Sequence, residues 1–412
     1  MKRREFLKAA GAAGVGSALA GTSFASDKPD ASEPNTPHKE RQDAKVPRRK
    51  LGRTGVDVPC LALGADFDFV DRQVVLRKCL EFGVNYWDSS SGYAGGNSEL
   101  GIGKFIKANP DARKDLFLVS KAQGAHSVAE IEKHLEASLK RLNVDGIDLY
   151  CLHSLEQPGQ LTDELRNWSK DAKARRLIRF FGVSTHKNMS QCLTAVASCG
   201  WVDVAMTLYN FRFLRDEETA LAIDACRKAG VGLLAMKTQA LLSDADWIEK
   251  PRDANATAQK ELVEHFKQRG FTEGQAKIAV VVENEQFDSV CVGMDNVAVL
   301  EANTAVASGA VKLSRADRAA LQEYAAATCR GYCAGCAGIC ETAADAPICD
   351  IMRYLMYRNG YGDEQRARRL FAQLPAGVKA RLLTIDYTAA ELRCRQRMPL
   401  GNLIAQAVNK LA

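Results

Sequence analysis

LFLVSKAQGAHSVAEIEKHLEASLKRLNVDGIDLYCLH, residues 116–153, reads as one strand–helix–strand unit. LFLVSK (116–121) and IDLYCLH (147–153) are short and largely apolar. Between them Val128, Ile131, Leu135, Ser138, Leu139 and Leu142 recur at a 3.6-residue period, the mark of an amphipathic helix. Strands apolar on both faces need cover on both, which is the condition of a parallel sheet flanked by helices.

The same alternation extends outward in both directions. The other apolar runs are VPCLALG (58–64), NYWDSS (85–90), RFFGVST (179–185), DVAMTLY (203–209), GLLAMK (232–237) and SVCVG (289–293). Eight strand–helix units match the closing number of a parallel barrel. The expected fold class is therefore α/β: a (β/α)8 TIM barrel, with a helical, cysteine-rich C-terminal extension. The rival, an open doubly wound sheet, wants a glycine-rich phosphate loop after its first strand, and Leu63-Gly64-Ala65-Asp66 is not one. RRKLGRTGVDVP (48–59) carries turn signals at Gly52 and Thr54-Gly55 and predicts a hairpin that plugs the barrel bottom.

Composition bounds the function. The chain has 412 residues, 46% hydrophobic and 26% charged, with a net charge of +6. No basic stripe interleaved with aromatics appears, which argues against nucleic acid as a partner. No apolar run reaches the ~20 residues of a membrane span. KRREFLK (2–8) precedes a weakly apolar Ala/Gly run and a Ser23-Phe24-Ala25 cleavage site. This resembles a twin-arginine signal peptide, and implies export, in folded form, to the periplasm or another extracytoplasmic space. The expected organisation is a signal peptide over 1–25, a polar disordered linker over 26–46, a barrel over 47–325 and a cysteine-rich helical module over 326–412.

Chemistry in such barrels sits at the C-terminal ends of the strands. There the sequence places Asp88, Lys121 and His153, with Tyr93 in the loop after the second strand. Singly, each reads as a surface ion pair or a hydrogen-bonded structural residue. Together they supply a proton donor, an ammonium to lower its pKa, an anchor for that ammonium and a hydrogen bond for a carbonyl oxygen.

DSSSGYAGGNSELGIGK (88–104) is similar to the aldo-keto reductase signature, with Asp and Tyr five apart before the Ser-Glu helix start. LFLVSK and LYCLH match that family's lysine and histidine strands, and GVSTH (182–186) and GMDNVAVLEAN (293–303) its later cofactor segments, in order. The resemblance covers roughly residues 48–310. It implies reduction of a carbonyl, or the reverse, with NADP or NAD supplying the hydride and Tyr93 the proton. It also implies that Ser184 and Met206 lie at the nicotinamide amide, Met236 under the ring and Lys237 near the pyrophosphate. Gly64, Gly293 and Asn303 complete the implied cofactor contacts. Met206 stands where the family usually has glutamine, and Val299 and Ala302 replace polar residues at the adenosine end.

CRGYCAGCAGIC (329–340) spaces Cys329, Cys333, Cys336 and Cys340 closely enough to wrap a [4Fe–4S] cube. Zinc or disulfides are the competing readings. The segment is similar to the ferredoxin-like tails of a subset of aldo-keto reductases, with Glu341 where proline usually follows the last cysteine. Cys349 and Cys394 are left without a role. Two functions remain open: an oxidoreductase acting on a carbonyl or sugar-like substrate, with an electron-transfer partner for the tail, or a non-catalytic barrel that binds a partner or senses redox state.

Overall fold

A computed structural model describes residues 45–243 and 254–412. The signal peptide and all but the last two residues of the linker lie outside the described residues. Val46, at the linker's expected end, is already anchored: it is buried, and its N–H donates to the Phe82 carbonyl at 3.0 Å.

Strands β1 (Arg48–Lys50) and β2 (Asp57–Pro59) form an antiparallel hairpin. Eight parallel strands follow: β3 (Leu61–Gly64), β4 (Tyr86–Asp88), β5 (Phe117–Ala122), β6 (Ile147–Leu152), β7 (Ile178–Thr185), β8 (Val204–Leu208), β9 (Gly232–Met236) and β10 (Ser289–Gly293). They close as a barrel in chain order, with β10 pairing both β9 and β3. The run 58–64 is thus two strands. The Cys60 N–H donates to Pro47, ending the hairpin, and Leu61 then pairs with Val290.

Helices α1 (Gln73–Glu81), α2 (Asn97–Ala108), α3 (Val128–Leu142), α4 (Asp163–Ala174), α5 (Met189–Cys199) and α6 (Glu217–Lys228) separate the strands up to β9. Helices α7 (Ala254–Gln268) and α8 (Glu273–Val282) precede β10, and α9 (Val297–Ala307) and α10 (Arg315–Ala327) follow it. Ser127 caps α3 by accepting from Glu130, and Asn143 ends it in the left-handed region. Of the predicted stripe, Ile131, Leu135, Ser138 and Leu142 are buried.

Strand alternation sorts side chains between two cores. Tyr86, Phe117, Val119, Leu149, Val204, Met206, Leu234 and Met236 fill the lumen, and Leu51 of the hairpin plugs it from below. Their neighbours pack outward against the helices. The plug is stitched in place: the Gly52 N–H donates to Asp288, and Arg53 donates to the carbonyls of Gly200, Val202 and Ala229.

The tail adds α11 (Ala337–Ala344), α12 (Ile348–Asn359), α13 (Glu364–Ala372), α14 (Ala376–Arg381), α15 (Thr388–Arg393) and α16 (Leu400–Leu411). Leu355, Leu382, Leu400, Leu403 and Ile404 form its own core, as their repeating faces predict. Barrel and tail belong to one compact unit. The tail docks on loops at the C-terminal strand ends. Asn188 donates to Gly335 at 2.8 Å, Ser243 to Gly331 at 2.8 Å, and Asn210 to the Tyr332 hydroxyl at 2.9 Å. Lys187, almost fully buried, pairs with Asp350 at 2.5 Å and Glu156 at 3.1 Å. Arg366 pairs with Asp66, just past β3. The tail therefore roofs the end of the barrel where the candidate site lies.

Gly335 permits this closeness: its φ is +78°, and a Cβ there would lie 2.3 Å from the His186 carbonyl oxygen. Gly335→Ala should loosen the roof by about 2 kcal/mol. Limited trypsin digestion would then cut the tail sooner than in the parent while the barrel resists. Identical digestion of the two proteins would contradict the docking.

Candidate active site

Tyr86 and Asp88 on β4, and Phe117, Val119 and Lys121 on β5, alternate onto the lumen face. The register sets Asp88 opposite Val119, and Lys121 opposite Cys151. Asp88 and Lys121 are thus the last lumen-facing residues of adjacent strands. His153 follows β6 directly, and Tyr93 opens a short 3-10 turn, Tyr93–Gly96, whose start is tied by the Tyr93 N–H to the Ser90 carbonyl. The Ser-Glu helix start braces the loop. Ser98 donates to Ala65, and buried Glu99 bonds Ser120 and Arg141.

The four expected side chains converge. Lys121 Nζ lies 2.7 Å from Asp88 Oδ2, 2.7 Å from the Ser89 carbonyl and 3.4 Å from Tyr93 Oη. The Tyr93 and His153 rings meet edge to face, with centroids 5.8 Å apart. Ser90, which sequence reasoning passed over inside DSSSGY, places its hydroxyl 3.1 Å from His153 Nδ1. The same hydroxyl lies 3.3 Å from the Lys121 carbonyl; when it donates to the closer histidine nitrogen instead, the histidine proton sits on Nε2, the tautomer able to serve a carbonyl oxygen. Cys291 Sγ approaches Asp88 Oδ2 at 3.7 Å, a lumen neighbour with no sequence signal of its own.

Burial decides the protonation states. It opposes the charge on Lys121, but Asp88 and Tyr93 outweigh it and hold the ammonium protonated. Burial raises the Asp88 carboxyl, and Lys121 partly offsets that. Lys121 also favours the Tyr93 phenolate, as the sequence suggests, yet the net shift is upward because burial is the larger effect. The expectation of a lowered tyrosine pKa is corrected on this point: Tyr93 keeps its proton. His153 is pushed well below its ordinary value by burial, then by Lys121, Arg353, Arg366 and Lys237. His186 is lowered in the same way, by burial first and then by the same kind of positive field.

The implied cofactor residues are placed unevenly. Ser184 is buried near the end of β7 and its hydroxyl accepts from the Ser154 N–H at 3.1 Å. Met206, paired in register with Ser184, and Met236 belong to the lumen core. Gly64 pairs with both Asp88 and Gly293 at the rim. Lys237 leaves β9 with φ +58°, and its ammonium lies over the Tyr357 and Tyr361 rings at 5.1 and 5.9 Å. Asn303 is buried inside α9, seven residues in, and so about 9 Å below the helix start that faces the rim.

Three tail residues that sequence reasoning did not assign reach this region. Arg366 covers the Tyr357 ring at 4.1 Å and exerts its charge on Tyr93. Arg353 is paired with Asp350. Burial raises Tyr357, but Lys237, Arg366 and Arg353 overcome it and leave its pKa below the ordinary value. A cavity lies beside the mouth, between barrel and tail, bounded by His186, Lys237, Cys333, Cys349, Arg353 and Met356; the four clustered side chains do not line it.

The tail thiols gather, though not as the spacing suggests. Cys333 and Cys349 stand 3.9 Å apart, Cys349 is within electrostatic reach of Cys340, and Cys336 of Cys333, Cys340 and Cys394. Cys329 sits apart in the turn Cys329–Gly331, where its electrostatic neighbour is Arg212. Among the described residues, no three histidine, cysteine or carboxylate side chains are close enough to hold a metal ion.

The neutral state of both rim histidines has a consequence for stability. Their folded pKa values lie below the unfolded one, so acidification protonates the unfolded chain first. Stability contributed by the neutral rings is present above roughly pH 6.5 and lost as pH falls below it. His153→Gln should flatten that acid limb in thermal melts; an unaltered pH profile would contradict the assignment.

The family model for the aldo/keto reductase family matches residues 61–326. The chain is 26% identical to an L-galactose dehydrogenase of Arabidopsis thaliana, over 63% of this chain and 88% of that one. It is 29% identical to the NADP(+) aldo-keto reductase yakc of Schizosaccharomyces pombe, over 46% and 60% respectively. An aldo-keto reductase of Gibberella moniliformis matches at 27%, over 47% and 59%. With the closed barrel, the converging rim residues and a match spanning most of the barrel, the chain belongs to the aldo/keto reductase family.

Proposed function

We propose that the chain is an NAD(P)-dependent oxidoreductase that moves hydride to or from the carbonyl of a small, sugar-like molecule, with Tyr93 as general acid/base. The observation that carries this reading is Lys121, whose single ammonium contacts both Asp88 and Tyr93 Oη. The names of the relatives support it, and the NADP(+) in the yeast relative's name favours NADP.

A nicotinamide nucleotide, when bound, would supply or accept the hydride. Ser184, Met206, Met236, Lys237, Gly64, Gly293 and Asn303 are the residues that would hold it. Lys237 fits a phosphate: no carboxylate among the described residues forms an ion pair with its ammonium. The chain's own groups do the rest. Neutral His153 would donate from Nε2 to the carbonyl oxygen and orient it. Tyr93 would give that oxygen its proton, and Lys121 would stabilise the phenolate left behind. Asp88 would keep Lys121 aimed. Burial holds the phenol protonated, the state from which proton delivery to a carbonyl oxygen starts.

The tail is proposed to bind one [4Fe–4S] cluster and pass single electrons between a partner and the barrel. Its gathered thiols are a soft donor set of the kind that such a cluster takes. The twin-arginine leader supports export of the folded, cofactor-loaded protein to the periplasm or another extracytoplasmic space. A second reading, a non-catalytic redox-sensing barrel, draws on the roof itself, since Arg366 and Tyr357 crowd the rim.

Tyr93→Phe should lower NADPH-dependent reduction of a reactive aldehyde by about 10²–10⁴-fold. Far-UV circular dichroism of the variant should match the parent. Activity equal to the parent's would overturn the acid/base assignment.

A further inference from the structure

We propose that Cys349, and not Cys329, completes the tail's ligand set with Cys333, Cys336 and Cys340. This rests on the iron–sulfur reading above. Sequence spacing favours Cys329, because CRGYCAGCAGIC is a contiguous run. Its first cysteine has different neighbours. Cys329 closes the barrel's last helix, beside Arg212, whose guanidinium bonds Thr328 and lies 4.6 Å over the Tyr332 ring. Tyr332 then turns into the molecule to meet Asn210. Only after this anchor does the chain reach Cys333 and fold back through Cys336 to Cys340 in α11.

Cys349 arrives from elsewhere to meet them. It is the second residue of α12, buried, with its thiol 3.9 Å from Cys333 Sγ and within electrostatic reach of Cys340. Its N–H donates to Glu341 Oε1 at 2.8 Å, which fixes the start of α12 against α11. Glu341 occupies the place where a proline follows the last cysteine in similar tails. The substitution thus has a use here: it holds the helix that presents Cys349. Cys394 is near the same thiols, but it is half-buried and its N–H and backbone contacts stay within its own turn.

The helix that presents Cys349 also reaches the barrel. Arg353 lies one turn further along α12 and Tyr357 two turns, so that about 6 and 12 Å of helix separate the thiol from residues at the mouth. Cys333, Cys349, Arg353 and His186 line one cavity. A cluster on this set would border the cavity beside the barrel mouth.

The test uses the full chain, purified without oxygen and reconstituted with iron and sulfide. Iron, acid-labile sulfide and the EPR signal of the dithionite-reduced protein are compared across the parent, Cys349→Ser, Cys329→Ser and Cys394→Ser. The proposal expects Cys349→Ser to lose at least nine-tenths of the iron and the parental signal, and the other two variants to retain both. Iron retained in Cys349→Ser, or lost in Cys329→Ser or Cys394→Ser, overturns it. A parent that takes up no iron or sulfide overturns the iron–sulfur reading itself, and the ligand assignment falls with it. If Cys349→Ser misfolds, alkylation of the loaded parent decides: Cys329 should react with iodoacetamide and Cys349 should not until iron is chelated. The reverse pattern refutes the assignment.

Discussion

One ion pair organises the catalytic end of this barrel. Lys121 and Asp88 are both almost fully buried, at 1% and 3% side-chain exposure. Charges withdrawn from water are tolerated only when closely paired and hydrogen-bonded, and stranding one of them costs about 3–5 kcal/mol. The strand register meets that demand by setting Asp88 opposite Val119, so that Lys121 follows two residues on along the same face of β5. The Ser89 carbonyl takes a second ammonium proton, and the Tyr93 hydroxyl is drawn to the third. Everything proposed for the chemistry follows from where that ammonium is held.

The roof is the second constraint. Loops after β3, β7, β8 and β9 each bond to the tail, so the rim that carries the candidate site is also the tail's seat. Burial and Lys121 hold His153 neutral, and Arg353 and Arg366 add to the positive field at the mouth in the same sense. A neutral histidine is a hydrogen-bond donor rather than a competing acid, which leaves proton delivery to Tyr93. The tail is thereby coupled to the site electrostatically as well as by covering it.

Much of this was legible in the sequence, for identifiable reasons. The barrel follows from local patterns, apolar strands alternating with 3.6-period helices, and the structure closes it in chain order. Asp88, Lys121 and His153 could be placed because a strand end is a local property. The sign of the Tyr93 shift was not legible, because it turns on burial that distant residues create. Ser90 was hidden among three serines, and Arg366 finds Asp66 across 300 residues of chain. The thiols make the same point: contiguity selected Cys329, while the fold gathers Cys349.

Binding of a reduced nicotinamide nucleotide tests the central claim most directly. The full chain, purified without oxygen, would be titrated with NADPH and NADH while tryptophan fluorescence is followed, alongside Lys237→Ala. The account predicts saturable quenching by at least one nucleotide, with affinity weakened at least tenfold by Lys237→Ala. No binding of either nucleotide, to a protein shown to be folded, would contradict the reductase assignment and favour a barrel whose mouth the tail has closed for another purpose.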